Sequence, residues 1–290
     1  MFMRKQRLDV LMVERGLAES RALAQRLVMA GQVRVNGQVM IKPATGVLAE
    51  AKIEIERGPR FVSRGGEKLE AALNTFQIDL RGRVCADAGA STGGFVDCML
   101  QHGAKCVYAI DVGQGILSWK LRQDARVVVM EGINARYLEH LPEAVDFVTV
   151  DVSFISLKVI LPVVKGWLRA STLTPGSSLF YLKEEGGGEQ GIGGEVVALI
   201  KPQFEAGKRE VGRGSGVIRD SQVHRRVLLE VLRFAQQEGY GVVGLRRSPL
   251  LGPKGNVEFL AWLVYPGASR DDLAEIVEEA LLIDVEERNR

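Results

Sequence analysis

Asp87-Ala-Gly-Ala-Ser-Thr-Gly-Gly-Phe95 is the stretch whose reading decides the fold of this chain. It follows an apolar run ending in Val84-Cys85-Ala86 and opens a helix-like stretch from Phe95 to Gln101. A strand that runs into a glycine turn and then a helix brings a ligand close to bare backbone amides. The glycines fall at 89, 93 and 94, which is not the G-x-G-x-x-G of a dinucleotide fingerprint. The Gly-Lys-Ser/Thr ending of a phosphate loop is absent as well. Asp87, two residues before the first glycine, suits a ligand with a positive or amino end, such as S-adenosylmethionine. Taken alone, the loop also reads as a plain tight turn.

Working outward, strands and helices alternate from residue 83 onward. The strand segments are 83–88, 105–111, 127–131, 146–151, 195–202, 240–246 and 258–264, with helical patterns at 94–102, 116–123, 155–169 and 220–238. Repeats of this kind predict an α/β fold with a doubly wound parallel sheet. Seven strands, the last pair joined by a short Gly/Pro loop, are similar to a class I methyltransferase sheet whose final strand is inserted antiparallel. A dehydrogenase sheet needs no seventh strand.

Residues 1–57 read as a separate small α/β domain. Leu8, Leu11 and Met12 share a helix face that Gly16 ends, and Ser20 is placed to cap a second helix closed by Gly31. Val33-Arg-Val-Asn-Gly-Gln-Val39 is a hairpin by its Asn36-Gly37 turn, and Lys52 to Glu56 alternates as a closing strand. Gly58-Pro59 opens a linker over 58–66. The α/β body is then 67–270, with Ser177 to Gly194 as a flexible Gly-rich insertion and 271–290 as an acidic helix. Leu273, Ile276, Val277, Ala280 and Leu281 form that helix's apolar side, which should dock on the body or on a second copy, so a homodimer is left open.

The net charge of +2 hides an asymmetry. Residues 1–64 carry 12 Lys/Arg against 6 Asp/Glu, and the remainder carries 26 against 30. A basic module ahead of a mildly acidic one suggests a polyanion-binding appendage. Cys85, Cys98 and Cys106 are odd in number and make no C-x-x-C, which fits free thiols in a reducing cytoplasm. His102, His140 and His224 have no zinc-ligand spacing, so no metal is expected. The amino terminus lacks the apolar region of a signal peptide, and no stretch approaches the roughly 18 apolar residues of a membrane span.

In open α/β sheets ligands bind beyond the carboxyl ends of the parallel strands. Asp87 ends the first strand and the 89–94 loop follows. Asp111 ends the second and suits ribose hydroxyls; Asn134 follows the third and could flank an adenine. Asp151 ends the fourth and Lys201 the fifth. An antiparallel last strand would begin at this same edge, which brings in Glu258, and Lys68 heads the helix before the first strand. Lys68, Asp151, Lys201 and Glu258 should therefore converge. For Lys68 or Glu258 alone, a surface ion pair is the blander reading.

Two resemblances attach to these residues. Arg7-Leu-Asp9, Ser20-Arg21-Ala-x-Ala-x-x-Leu27 and Gly31-x-Val33-x-Val35-Asn36-Gly37 resemble an S4 RNA-binding domain. The lysine–carboxylate set resembles the Lys-Asp-Lys-Glu tetrad of FtsJ-like ribose 2′-O-methyltransferases. With the S4 module in front, the chain resembles the TlyA (hemolysin A) family over residues 7 to about 266. Val62-Ser-Arg-Gly-Gly66, Asp151-Val-Ser-Phe-Ile-Ser156, Ile200-Lys-Pro-Gln-Phe-Glu205 and Gly255-Asn-Val-Glu258 carry the likeness. Phe61 stands where that family usually has tryptophan.

The resemblance implies cytidine 2′-O-methylation of ribosomal RNA in ribosomal subunits, in the cytoplasm, with S-adenosylmethionine as cofactor. It implies Lys68, Asp151, Lys201 and Glu258 as catalytic residues. Asp87, Gly89, Ser91, Thr92, Gly93, Gly94, Phe95, Asp111 and Asn134 would hold the cofactor. Arg4, Lys5, Arg7, Arg21, Arg34 and Arg64 would contact RNA phosphates, although each alone is equally well an ordinary surface cation. Lys201 takes the role of base by this likeness; its rival role is a charged group that orients the 2′-oxygen. Two other functions compete: a non-catalytic RNA-binding assembly factor, and a membrane-active haemolysin. The latter lacks a span, and its amphipathic tail is acidic where an anionic membrane favours Lys/Arg.

Overall fold

The computed structural model describes residues 5–56, 58–169, 193–207 and 216–287. They divide into two compact units, Met1–Arg60 and Phe61–Arg290. Of the segment expected as a linker, residues 58–60 thus go with the first unit and 61–66 with the second.

In the first unit, β1 (Lys5–Arg7) leads directly into α1 (Leu8–Glu14), and α2 (Arg21–Met29) follows. Ser20 Oγ accepts the Leu23 amide at 3.2 Å, the cap expected from the sequence. The hairpin pairs β2 (Val33–Val35) with β3 (Gln38–Met40), and β5 (Ile53–Ile55) closes on the other side of β2. Asn36 and Gly37 both have positive φ, at 50° and 83°, which is the backbone that a two-residue hairpin turn needs. A further pair, β1 with β4 (Gly46–Leu48), has no sequence signature, because three-residue strands are too short to show alternation. Leu8, Met12, Ala24, Val28 and Val33 form the core.

The second unit begins with α3 (Gly65–Phe76) and then alternates β6 (Val84–Ala88), α4 (Gly94–Gln101), β7 (Cys106–Asp111), α5 (Trp119–Arg122), β8 (Val127–Glu131), β9 (Phe147–Val150) and α6 (Leu157–Val164). It continues with β10 (Gly194–Ile200), α7 (Pro202–Glu205), α8 (Ser221–Gln237), β11 (Gly241–Arg247), β12 (Phe259–Tyr265) and α9 (Leu273–Glu287). The seven-stranded sheet has the order β11-β12-β10-β9-β6-β7-β8. β12 is inserted antiparallel to both neighbours, as the sequence led one to expect. The apolar runs are nearly continuous because helices cover both faces; every residue of β6, β9 and β10 is buried.

Most boundaries differ from the sequence reading by one or two residues, and the larger or more telling differences have a physical reason. α5 starts at Trp119 rather than 116, because Glu131 accepts the amides of Gly115, Ile116 and Leu117 and holds them in a loop. α6 ends at Val164; beyond it a bridge between Val145 and Leu168 takes the chain back to the sheet. β10 begins at Gly194, inside the expected insertion, and ends at Ile200, so Lys201 lies just past the strand. The rest of the insertion, residues 177–192, lies outside the described residues. α9 docks on the body: Leu273, Val277 and Ala280 are buried in the same core as α8 and β11. Cys85 and Cys98 are buried, Cys106 is half-buried, and none of the three is in a disulfide. Among the described residues no helix is long and apolar enough to cross a membrane, and no cluster of metal-ligating side chains occurs.

Candidate active site

The loop after β6 is shaped by close backbone approach. Gly89 has φ 92°, and a Cβ there would lie 2.6 Å from the Asp151 carbonyl oxygen at the end of β9. Gly94, the first residue of α4, faces Ser63 Oγ and the Gly66 amide, so a side chain there would collide with the start of α3. The glycines thus draw the ends of β6 and β9 and the heads of α3 and α4 together around one cavity of about 720 Å³. That volume is in the range of small-molecule and cofactor sites.

Asp87 is buried at the base of this cavity. Its Oδ1 accepts the Thr149 hydroxyl at 2.7 Å, and its Oδ2 has no partner. Burial pushes its carboxyl up to about 8, the charges of Asp151 and Asp111 add to the rise, and the Thr149 hydrogen bond opposes it. A buried acid with an unused oxygen among other acids calls for a cation. A second cavity of about 300 Å³ is lined by Asp111, Val112, Ile133 and Asn134 and shares Gly89, Ser91, Asp151, Ser153 and Phe154 with the first. Asp111 orders its rim by accepting the Ser91 amide at 2.8 Å and the Gly113 amide at 2.7 Å. Asn134 Oδ1 caps the next turn by accepting the Arg136 amide. An elongated ligand with a cationic end and a nucleoside end fits the two cavities. S-adenosylmethionine is a ligand of that shape and charge.

The four charged residues do converge. Lys68, Asp151, Lys201 and Glu258 all line the larger cavity. Lys201 Nζ is 2.6 Å from Asp151 Oδ1 and donates to the Val152 carbonyl at 3.0 Å and Ser153 Oγ at 3.1 Å. Two hydrogen-bond acceptors and the Asp151 carboxylate, an ion-pair contact whose Oδ1 makes no aligned hydrogen bond, thus surround the amine. Lys68 Nζ is 2.6 Å from Glu258 Oε2, while Glu258 Oε1 is buried without a partner. These are two lysine–carboxylate pairs brought together from α3, the ends of β9 and β10, and the start of β12.

The remaining expected residues divide. Ser91, Thr92, Gly94 and Phe95 line the larger cavity. Gly93 instead packs on Leu121 and Leu117, where its φ of 96° turns the chain into α4. Phe95 is 3% exposed and is chiefly a core residue. Of the expected RNA contacts, Arg64 is exposed and lines the cavity, Lys5 is exposed on β1, and Arg4 lies outside the described residues. Arg7 and Arg21 are committed to the buried Asp9, which also accepts from Gln25. Arg34 pairs with Glu56. Their outer faces stay accessible, but these guanidiniums have a structural partner that helical spacing did not show.

Sequence reasoning missed an aromatic pair at the cavity mouth. The Phe154 ring is 4.8 Å from that of Phe204, and Phe154 is 87% exposed with φ 64°. An exposed aromatic residue in a left-handed backbone is costly, and residues of this kind cluster at functional sites. Both residues lie inside stretches quoted above for other members, Asp151 to Ser156 and Ile200 to Glu205. Gln203 and Asn256 were missed as well. Asn256 accepts the Ile218 amide and donates to the Gly216 carbonyl, so it holds the loop over the cavity.

The chain is similar to known proteins over most of its length. The FtsJ-like methyltransferase family matches residues 61–265, and the S4 domain matches residues 6–53. The chain is 44% identical to the Mycobacterium tuberculosis 16S/23S rRNA (cytidine-2'-O)-methyltransferase TlyA, over 90% of both chains. It is 40% identical to Hemolysin A of Brachyspira hyodysenteriae, over 89% of this chain and 99% of the relative. Among solved structures, a "Putative hemolysin from Streptococcus thermophilus" covers 100% of both chains at 40% identity and a TM-score of 0.68.

Proposed function

Because the chain belongs to the FtsJ-like methyltransferase family and carries an S4 domain ahead of it, we propose that it methylates the 2′-hydroxyl of a cytidine in ribosomal RNA. Its donor is S-adenosylmethionine and its working place is the cytoplasm, where ribosomal subunits are found. The carrying observation is the meeting of the Lys201–Asp151 and Lys68–Glu258 pairs in the cavity of the glycine loop.

S-adenosylmethionine, when bound, supplies a methyl group on a sulfonium whose departure as a neutral thioether needs no acid and no metal. The protein's task is to align the oxygen and remove its proton, and alignment alone supplies several kcal/mol. Asp87 and the loop amides after Gly89 hold the amino acid end, and Asp111 holds the ribose. A nucleotide reaches Lys201 only when turned out of its stack. The Phe154 and Phe204 rings at the cavity mouth give such a base a stacking surface. Arg64, at the cavity, holds a flanking phosphate, and the S4 unit makes RNA contacts of its own. In the role of base Lys201 enters as the free amine, its third proton already lost to solvent; Nζ takes the 2′-proton as the oxygen attacks the methyl carbon, and Asp151, 2.6 Å away, stabilises the ammonium that forms. To do so, Lys201 exchanges its contact with Ser153 or Val152 for the ribose oxygen.

The two hydrogen-bond acceptors and the carboxylate around Lys201 favour a second reading of its role, an ammonium that orients the 2′-oxygen. Lys201→Arg separates the two, because a guanidinium keeps charge and donors but does not accept a proton near neutrality. Loss of transfer in Lys201→Arg supports the base; retained transfer supports the orienting cation. The function itself is tested by tritiated-methyl transfer to ribosomal subunits followed by nucleoside analysis. Labelled 2′-O-methylcytidine is expected. Label on a base, or no label on any RNA, overturns the reading. Should Lys201→Ala leave the cellular role intact, the non-catalytic assembly factor takes its place.

A further inference from the structure

Glu205 makes contacts that the chemistry above does not use. It ends α7, four residues after Lys201. Its Oε2 accepts from Ser156 Oγ at 2.5 Å and its Oε1 from the Leu157 amide at 2.7 Å. Leu157 is the first residue of α6, where backbone amides have no carbonyl partner within the helix. At the other end of the same loop, Lys201 holds Asp151, the Val152 carbonyl and Ser153. One short turn, 201–205, therefore grips residues 151–157 at both ends. Between the grips Phe154 keeps its left-handed φ of 64°, a conformation that an unrestrained loop would relax. Burial lifts the Glu205 carboxyl above its usual range, and the Ser156 and Leu157 donors oppose the rise. A carboxylate kept at such a cost has a task there.

We infer that Glu205 is a positioning residue for the Lys201–Asp151 pair: it staples the far end of the 151–157 loop so that Asp151 and Ser153 stay within reach of Lys201. The staple sets geometry and needs acceptor and donor positions, not the negative charge. Its effect on turnover rests on the function proposed above; the staple itself does not.

The test compares Glu205→Gln with Glu205→Ala in the full chain. The glutamine carbonyl can accept the Leu157 amide while its amino group donates to Ser156 Oγ, so both grips survive. Alanine removes both. Glu205→Ala should lower kcat on ribosomal subunits by roughly 10- to 100-fold, with KM for S-adenosylmethionine changed less than about 3-fold. Glu205→Gln should restore kcat to within about 3-fold of the parent. Hydrogen exchange of the peptide covering 152–160 should quicken in Glu205→Ala and stay at the parental rate in Glu205→Gln. Equal damage in both variants would overturn the staple, since charge would then be the active property. Unchanged kcat in Glu205→Ala despite faster exchange would overturn it too. A parent protein that methylates no ribosomal RNA refutes the function instead, and the exchange comparison still judges the staple.

Discussion

Replacing Lys68 by Met should strand a carboxylate in the core of the catalytic unit. Glu258 is fully buried, its Oε2 is 2.6 Å from Lys68 Nζ, and its Oε1 has no partner. Lys68 itself is only 11% exposed in its side chain, so solvent screens the pair weakly. Removing one member of a buried pair costs about 3–5 kcal/mol, because the survivor keeps its desolvation penalty without its attraction. For a unit of roughly 230 residues, each kcal/mol moves Tm by about 2–4 °C, so Lys68→Met should lower Tm by roughly 6–20 °C. The double variant Lys68→Met/Glu258→Gln carries no stranded charge and should recover most of the loss. Glu258→Gln alone should cost less than Lys68→Met, because the freed lysine can turn into the cavity and meet water. Calorimetry of the three variants near neutral pH, without nucleotide, gives the coupling independently of activity. A Lys68→Met shift under about 2 °C, or a double variant no more stable than the single, would refute a coupled buried pair.

Asp87 holds its proton up to about 8 in the folded state against 3.8 ordinarily. The unfolded chain has lost that proton above about pH 4, so the stability it confers is complete below this and declines as pH rises through about 8, by at most about 1.4 kcal/mol per pH unit. The Tm of the parent relative to Asp87→Asn should therefore fall between about pH 5 and pH 8; a constant difference would count against the buried acid. Asp9 shows the opposite sign: the Arg7 guanidinium, with help from Gln25 and Arg21, holds its carboxyl well below the usual range. Its stabilisation is present above that range and is lost as pH falls through it. Asp9→Asn should weaken the first unit by about 1–3 kcal/mol at neutral pH and remove much of its acid sensitivity, as read from amide exchange across residues 5–56. Gly89→Ala puts a Cβ 2.6 Å from the Asp151 carbonyl at a positive φ, so the loop must shift. Titration calorimetry should show weakened S-adenosylmethionine binding; parental affinity would mean that the loop does not touch the cofactor.

Much of the architecture was legible because it is written locally. Each of the seven strands is a short apolar run followed by punctuation, and covering a parallel sheet on both faces makes such runs nearly unbroken. Asn36-Gly37 fixes its hairpin by backbone preference alone. The meeting of Lys68, Asp151, Lys201 and Glu258 could also be read, since strand ends in an alternating α/β chain share one edge. Boundaries failed where a distant side chain intervened. Nothing near Ile116 announces that the Glu131 carboxylate will take up its amide and delay α5.

The sequence by itself determined the two-part organisation, the doubly wound sheet with its antiparallel insertion, and the edge at which the charged residues gather, because periodicity and strand-end position are properties of neighbouring residues. Only the tertiary structure decided which lysine pairs with which carboxylate. Lys68 and Glu258 are 190 positions apart, and partner choice over that separation follows from packing to within a few tenths of an ångström. The commitment of Arg7 and Arg21 to Asp9, the Phe154–Phe204 platform and the grip of Glu205 on the 151–157 loop belong to the same class. Such polar and aromatic contacts are short-ranged and directional, so they exist only once the backbone has brought the groups together.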